Sequence, residues 1–186
     1  MELINSLGVS RGYAKLQVKY GDRVVDATAG HGRDTLLLSG LVGETGIVYS
    51  FDIQEIAIAS TRKLLESNGA PENVRLIMDS HANMKKYVKP GISCVMFNLG
   101  YLPGSDHSVQ TEAESSIQAI KAASELLLPG GIILIVIYHG GDTGFRERDE
   151  IIAFTGTLDQ HKYTVEMRSF INQRGYPPIF ICIQKH

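Results

Sequence analysis

A chain of 186 residues, 44% of them hydrophobic and 20% charged, is long enough for one α/β domain and too short for two. Its formal net charge of −2 gives no overall electrostatic pull toward nucleic acid, although a local basic face stays open. No apolar run approaches the about 18 residues of a membrane span, no secretory signal pattern opens the chain, and Cys94 and Cys182 sit inside apolar runs as reduced core residues, so a single cytoplasmic domain is expected.

Residues 1–19 carry Leu3, Leu7, Leu16 and Val18 at spacings too sparse for a clear period, and Gly8 and Gly12 interrupt them. Two short helices joined by a loop are expected there. Gly21-Asp22 signals a turn. Residues 23–27 then read as a strand and 34–41 as a helix stopped by Gly43 and Gly46. Residues 47–52 form a second strand, followed by a helix over 54–67 with Ile56, Ala59, Leu64 and Leu65 as its apolar stripe. Asn68-Gly69 ends that helix, since both tolerate the left-handed conformation. Residues 74–78 are a third strand, leading to a short helix with Met84 and Tyr87 inward.

Residues 92–97 are a continuous apolar run, the pattern of a central parallel strand. A helix over 112–128 is closed by Pro129-Gly130-Gly131, and 132–138 form the fifth strand. A helix over about 145–159 precedes two strands, 163–170 and 179–184, joined by a short connection that suggests a hairpin. Five β-α alternations ending in two strands predict an α/β fold: a doubly wound, mostly parallel seven-stranded sheet with a terminal antiparallel pair.

Ligands in such sheets bind outside the carboxyl ends of the strands. Those ends carry Asp26 with Gly30 and Gly32, then Asp52, then Asp79-Ser80-His81, then Asn98 to Gly104, then Tyr138-His139. Gly30-x-Gly32-x-x-Thr35 lacks the third glycine of a dinucleotide fingerprint, which makes it a loose match. Asp52, about 20 positions past the glycines, suits a ribose diol because a carboxylate accepts both hydroxyls. A nicotinamide dinucleotide and S-adenosylmethionine (SAM) both remain open on these grounds. Charge sign favours SAM: Asp26 and Asp34 flank the turn and would repel a pyrophosphate, but suit an ammonium and a sulfonium. Gly30 and Gly32 would let the backbone approach the cofactor. Asp26 would meet the ammonium or, alternatively, bond the amides of the turn. Asp34 is either a cofactor ligand or a partner of the helix dipole.

The run Asp26-Ala27-Thr28-Ala29-Gly30-His31-Gly32-Arg33-Asp34-Thr35 resembles the first motif of class I SAM-dependent methyltransferases. More narrowly, it is similar to a small bacterial family of rRNA-methylase-like proteins (the YtqB/MnmM type). The likeness continues through Phe97-Asn98-Leu99-Gly100-Tyr101-Leu102-Pro103-Gly104, Leu128-Pro129-Gly130-Gly131 and Val136-Ile137-Tyr138-His139-Gly140, covering nearly the whole chain. The resemblance implies a Rossmann-like methyltransferase domain over 1–186 with a short N-terminal helical extension. It also implies SAM as cofactor and tRNA as partner. The reaction it implies is N-methylation of 5-aminomethyl-2-thiouridine at the wobble position, giving 5-methylaminomethyl-2-thiouridine. His107 and Gly141 depart from the family pattern, where a lysine and a second histidine are common; both bear on substrate binding rather than on the SAM site.

By the same resemblance, Asp79 and His81 lie where class I enzymes contact the adenine edge, and Thr28, Thr35, Gln54 and Ser80 complete the cofactor set. The loop from Asn98 resembles the Asn-Pro-Pro-Tyr element of amino-methylating enzymes. Asn98 would accept an N–H from the substrate amine and border the cofactor, and Tyr101 would wall or stack on the base. His139 or His107 is a candidate base for deprotonating that amine. Lys15, Lys19, Lys85, Lys86, Lys89, Arg146, Arg148, Arg168 and Arg174 are candidates for an RNA-facing surface. No metal constellation stands out among the six scattered histidines. The oligomeric state is open, a homodimer being one option. Alternatives are a methyltransferase acting on rRNA or a small molecule, a non-catalytic SAM- or RNA-binding module, and a nicotinamide oxidoreductase.

Overall fold

The computed structural model describes residues 5–100 and 112–186. Its middle strand shows why the chain needs helices on two sides. On β4 (Ile92–Leu99), Cys94 and Met96 point into one apolar layer and Val95 and Phe97 into the other, all buried. A strand apolar on both faces is stable only when both are covered. The covering helices are α1 (Ser6–Gln17), α2 (Arg33–Val42) and α3 (Glu55–Ser67) on one side. On the other lie α4 (Ala113–Leu126), α5 (Gly141–Gly156) and a short 3₁₀ turn over His81–Lys86.

The remaining strands are β1 (Arg23–Asp26), β2 (Ile47–Asp52), β3 (Val74–Met78), β5 (Leu127–Ile137), β6 (Tyr163–Arg168) and β7 (Ile179–Lys185). They form one sheet in the order β3-β2-β1-β4-β5-β7-β6. β1 through β5 pair in parallel, and β7 pairs antiparallel with both β5 and β6. The predicted α/β class and terminal antiparallel pair are present. The strand order reverses between β1 and β4, where Asp26 lies beside Met96, and the crevice opens above that pair. Among the described residues no helix is long and apolar enough to cross a membrane.

Four local expectations are corrected. The N-terminal segment is one helix rather than two. Asn5 caps it, its side chain accepting from the Gly8 amide at 2.8 Å, and Val9 and Ala14 are buried against β5 and β7. Tyr13 packs its ring 5.3 Å from Phe180, and its hydroxyl donates to Glu166. These contacts offset the about 1 kcal/mol that each internal glycine costs relative to alanine.

The stripe expected on α3 is out of phase. Ala57 and Thr61 face inward, whereas Ile56 is 67% exposed and Ala59 also faces solvent. The phase is set by close approach: a Cβ on Gly32 would lie 2.8 Å from the Thr61 Cα, so two small positions meet where large ones could not.

Tyr87, expected inward, is 44% exposed and donates its hydroxyl to Asp79 instead. Finally, the Pro129–Gly131 stretch lies within β5 instead of between helix and strand. Ile92 pairs with Leu127 and Cys94 with Ile132, so the intervening residues bulge out of the ladder.

Candidate functional site

A cavity of about 690 Å³ opens at the carboxyl ends of β1, β2 and β4. That size and position suit a small-molecule or cofactor site. It is built first by the turn between β1 and α2. Gly30 and Gly32 both adopt positive φ, 52° and 79°, and the Gly32 amide closes the turn onto the Ala29 carbonyl at 2.8 Å. The Gly30 amide donates to Asp52 Oδ2 at 2.9 Å, and the Gln54 amide donates to Asp52 Oδ1 at 3.0 Å. Two backbone donors thus fix the half-buried Asp52 carboxylate while leaving acceptor capacity on both oxygens.

Asp26, Gly32 and Thr35 stand behind this wall rather than on it. Asp26 is fully buried and its carboxylate accepts from the Thr28 amide at 3.2 Å and the Thr35 hydroxyl at 2.6 Å. Thr35 also bonds Ser50. Burial, reinforced by the Asp34 charge and only partly countered by those hydrogen bonds, pushes the Asp26 carboxyl up to about 7. Of the two sequence readings for Asp26, the geometry matches bonding to the turn.

Asp79 and Ser80 line the far end of the cavity. Asn83 and Tyr87 donate to the Asp79 carboxylate, both at 2.8 Å, and hold it below the usual carboxylate range. His81 is 9% exposed, its ring edge-on to Phe97 at 5.7 Å, and its Nδ1 lies 3.1 Å from the Ala27 carbonyl. Nδ1 must donate there, which leaves Nε2 as an acceptor, and Nε2 has no partner among the described residues. Burial lowers the His81 pKa and favours this neutral form.

On the β4 side, the Asn98 amide donates to Thr28 Oγ1 at 2.7 Å, fixing the backbone. The side-chain Nδ2 donates to Asp34 Oδ2 at 2.8 Å, and Asp34 Oδ1 accepts from Arg11 Nε at 2.6 Å. Asn98 Oδ1 is buried and has no partner among the described residues. A buried acceptor without a donor is costly, and it calls for an explanation. Tyr138, at the end of β5, completes the rim at 40% exposure.

The structure therefore brings together Thr28, Gly30, Asp34, Asp52, Gln54, Asp79, Ser80, His81 and Asn98 of the expected set on one cavity wall. His139 is not on that wall. It is buried, with Nδ1 3.4 Å from the Ile137 carbonyl and its ring against Phe145 and Tyr176. Tyr101 and His107 lie outside the described residues. Sequence reasoning missed Leu7 and Ser115, which line the cavity from α1 and α4, and Arg11, which grips Asp34. No local motif marks these three; they reach the site through the packing of helices that pattern alone does not orient. Of the nine basic candidates, Lys85, Arg146, Arg148 and Arg168 are engaged with Glu125, Glu150, Asp149 and Glu166 respectively.

Sheet order and crevice together define the Rossmann-like fold of the class I methyltransferases. Residues 48–184 match the family described as "Putative rRNA methylase", and the chain belongs to that family. It is 40% identical over 151 residues to the chloroplastic tRNA (mnm(5)s(2)U34)-methyltransferase of Arabidopsis thaliana, covering 76% of this chain and 55% of that protein. The chain thus spans about half the length of that relative. A crystal structure described as a "putative rRNA-methylase" from Clostridium thermocellum superposes with a TM-score of 0.98 at 52% identity, over 100% of both chains. A "putative methyltransferase" from Streptococcus mutans in complex with SAH superposes with a TM-score of 0.91 at 36% identity, again over 100% of both chains.

Proposed function

We propose that the protein binds SAM in this cavity and methylates the primary amine of 5-aminomethyl-2-thiouridine at the wobble position of tRNA. The observation that carries the reading is Asn98: a half-buried side chain whose NH2 is committed to Asp34 and whose buried Oδ1 has no donor among the described residues. A primary amine is such a donor, and accepting one of its N–H bonds aims the nitrogen lone pair.

The cavity wall also fits SAM. Asp34, Asp52 and Asp79 outnumber Arg33 on it, a net acidic surround suited to a cation and unfavourable to a pyrophosphate. Asp52 takes the ribose hydroxyls on the lone pairs its two backbone amides leave free. Asp79 and the neutral His81 offer acceptors for the adenine amine, and Phe51 and Ile53 supply apolar surface for the ring. When bound, SAM supplies a methyl group activated by its sulfonium. The transfer is an in-line displacement: a nitrogen–carbon bond forms as the carbon–sulfur bond breaks, and an N–H proton is lost to solvent. The chain's contribution is alignment and exclusion of water. Asn98 holds the nitrogen, Thr28 holds Asn98, and Tyr138 walls the rim where the base enters.

The Arabidopsis relative is named for this wobble modification and the Streptococcus neighbour holds SAH, which supports both halves of the reading. The test is incubation of the protein and SAM with tRNA carrying the unmethylated 5-aminomethyl-2-thiouridine, followed by nucleoside mass spectrometry. A gain of one methyl on that nucleoside is expected; its absence, with SAM bound, overturns the substrate assignment. Activity on tRNA should also fall steeply with salt, as phosphate contacts are screened.

A further inference from the structure

A carboxamide in an active site is useful in only one of its two flips. If Asn98 is to accept from an amine, Oδ1 must face the cavity and Nδ2 must face away. Nothing intrinsic to asparagine sets this choice, since the two ends differ little in size. Its neighbour decides. A carboxylate only accepts hydrogen bonds, so Asp34 Oδ2, 2.8 Å from Nδ2, admits the NH2 end and rejects the carbonyl end. Asp34 in turn is held from the opposite side, its Oδ1 taking Arg11 Nε at 2.6 Å. The two oxygens are divided between the two partners, so the carboxylate cannot rotate without losing one of them. Asp34 is 5% exposed and Arg11 32%, which places the charged pair at the edge of the buried wall.

We infer that Arg11 and Asp34 form a positioning relay that locks the flip of the Asn98 carboxamide, making helix α1 part of the active site. This rests on the reading of Asn98 as the amine acceptor, and it extends that reading to two residues that need not touch substrate. It also gives α1 a role beyond covering the sheet. The helix is tied down at both ends of its inner face: the Ser6 hydroxyl donates to the Pro178 carbonyl, and Tyr13 is held by Glu166 and Arg168. A guanidinium mounted on a well-anchored helix can hold a carboxylate to a fraction of an ångström, the tolerance that positioning demands.

The relay is read without any substrate in the ¹⁵N-edited NMR signals of the Asn98 side chain. In the wild type, one Nδ2 proton should be shifted downfield and exchange slowly with solvent, as expected for a bond to a carboxylate. Arg11→Gln and Asp34→Asn should both abolish that signature, and Arg11→Lys should keep part of it. Unchanged Asn98 signals in Asp34→Asn overturn the relay. Kinetics supply the second readout. Arg11→Gln should lower kcat by about 10²-fold, the scale of a small misplacement, with little change in SAH affinity by calorimetry. In the Asn98→Ala background the same substitution should cost nothing further. Losses that multiply in the double variant, or a parallel loss of SAH affinity, reject the relay. Failure of the wild type to methylate the tRNA amine would instead overturn the proposed function, with the NMR comparison still deciding the relay.

Discussion

Asp26 and Asp52 look alike in sequence, each an acidic residue ending an apolar strand of the same parallel sheet, yet the structure gives them opposite environments. Asp26 is fully buried at the end of β1, one of the two strands at which the sheet order reverses, and its oxygens are turned onto the Thr28 amide and the Thr35 hydroxyl. Asp52 ends β2, one strand further out, where two backbone amides steady it and the cavity lies open in front. The difference teaches that a polar residue at a strand end is placed by which way its side chain is held: Asp26, bonded back onto the sheet and turn, is part of the scaffold, and Asp52, steadied at the cavity, stays open to a ligand. The same division separates Gly32 from Gly30 in the glycine turn: Gly30 lines the cavity, and Gly32 is pressed against Thr61.

Variants behind the wall should therefore lose stability, and variants on it should lose ligand. The largest effect is expected for Gly32→Ala. An alanine there would be forced to φ 79°, with its Cβ 2.8 Å from the Thr61 Cα. The left-handed conformation and the overpacking together cost about 2–4 kcal/mol. Urea unfolding measures this, and a loss below about 1 kcal/mol would mean that the turn yields and the glycine is there for the cofactor. Next in size is Asp52→Ala. If Asp52 accepts the two ribose hydroxyls as proposed, its removal should weaken SAH binding by about 10²-fold in calorimetry, in keeping with charge-assisted hydrogen bonds worth about 1.5–3 kcal/mol. An Asp26→Asn variant that lost as much affinity as Asp52→Ala would erase the distinction drawn between the two strands.

Asp26 sharpens the comparison through pH. Its folded pKa of about 7 lies above the model-peptide value of 3.8, so the folded state holds a proton that the unfolded chain releases. Stability from this group is therefore full below about pH 4, falls as pH rises toward 7, and is flat above that, with a slope of at most about 1.4 kcal/mol per unit. Asp26→Asn removes the titration, so the stability difference between wild type and variant should shrink or reverse across that window. Parallel curves from pH 5 to 8 would place Asp26 in contact with solvent or a cation, against its burial.

How much of this was legible beforehand follows the same physical line. The strand count, the carboxyl ends of the strands to within two residues and the terminal antiparallel pair are carried by local apolar runs and turn residues; the start of β5, at Leu127, is not. The residues of the cavity wall could be gathered because an α/β sheet delivers every strand's carboxyl end to one edge. What the sequence does not carry is orientation around a helix axis and depth below a surface. The phase of α3 depends on Thr61 meeting Gly32, a contact between segments 29 residues apart that no window of periodicity spans. Arg11 reaches Asp34 only because α1 is a single helix seated on β5 and β7, whereas Gly8 and Gly12 argue locally for a break. Asp26 reads as a ligand or as a partner of the turn until the depth of β1 is known.

His139 provides the smallest expected effect and the cleanest discrimination between wall and interior. Its position after β5 and its imidazole, the side chain that most often serves as a general base, make it a natural candidate for deprotonating the amine. The structure turns it away from the cavity, edge-on to Phe145 at 5.8 Å and beside Tyr176 at 6.4 Å. A base must come within hydrogen-bond reach of its proton, directly or through one water. On this geometry His139 is a packing residue, and on the proposed function no histidine among the described residues of that loop takes the proton of the amine. His139→Gln should then leave the shape of the pH–rate profile unchanged, with kcat within about 2-fold of wild type, and the rate should rise with pH until the substrate amine itself is deprotonated. A variant profile that loses an inflection near the histidine range would bring His139 back into the chemistry and require the loop after β5 to move when tRNA binds.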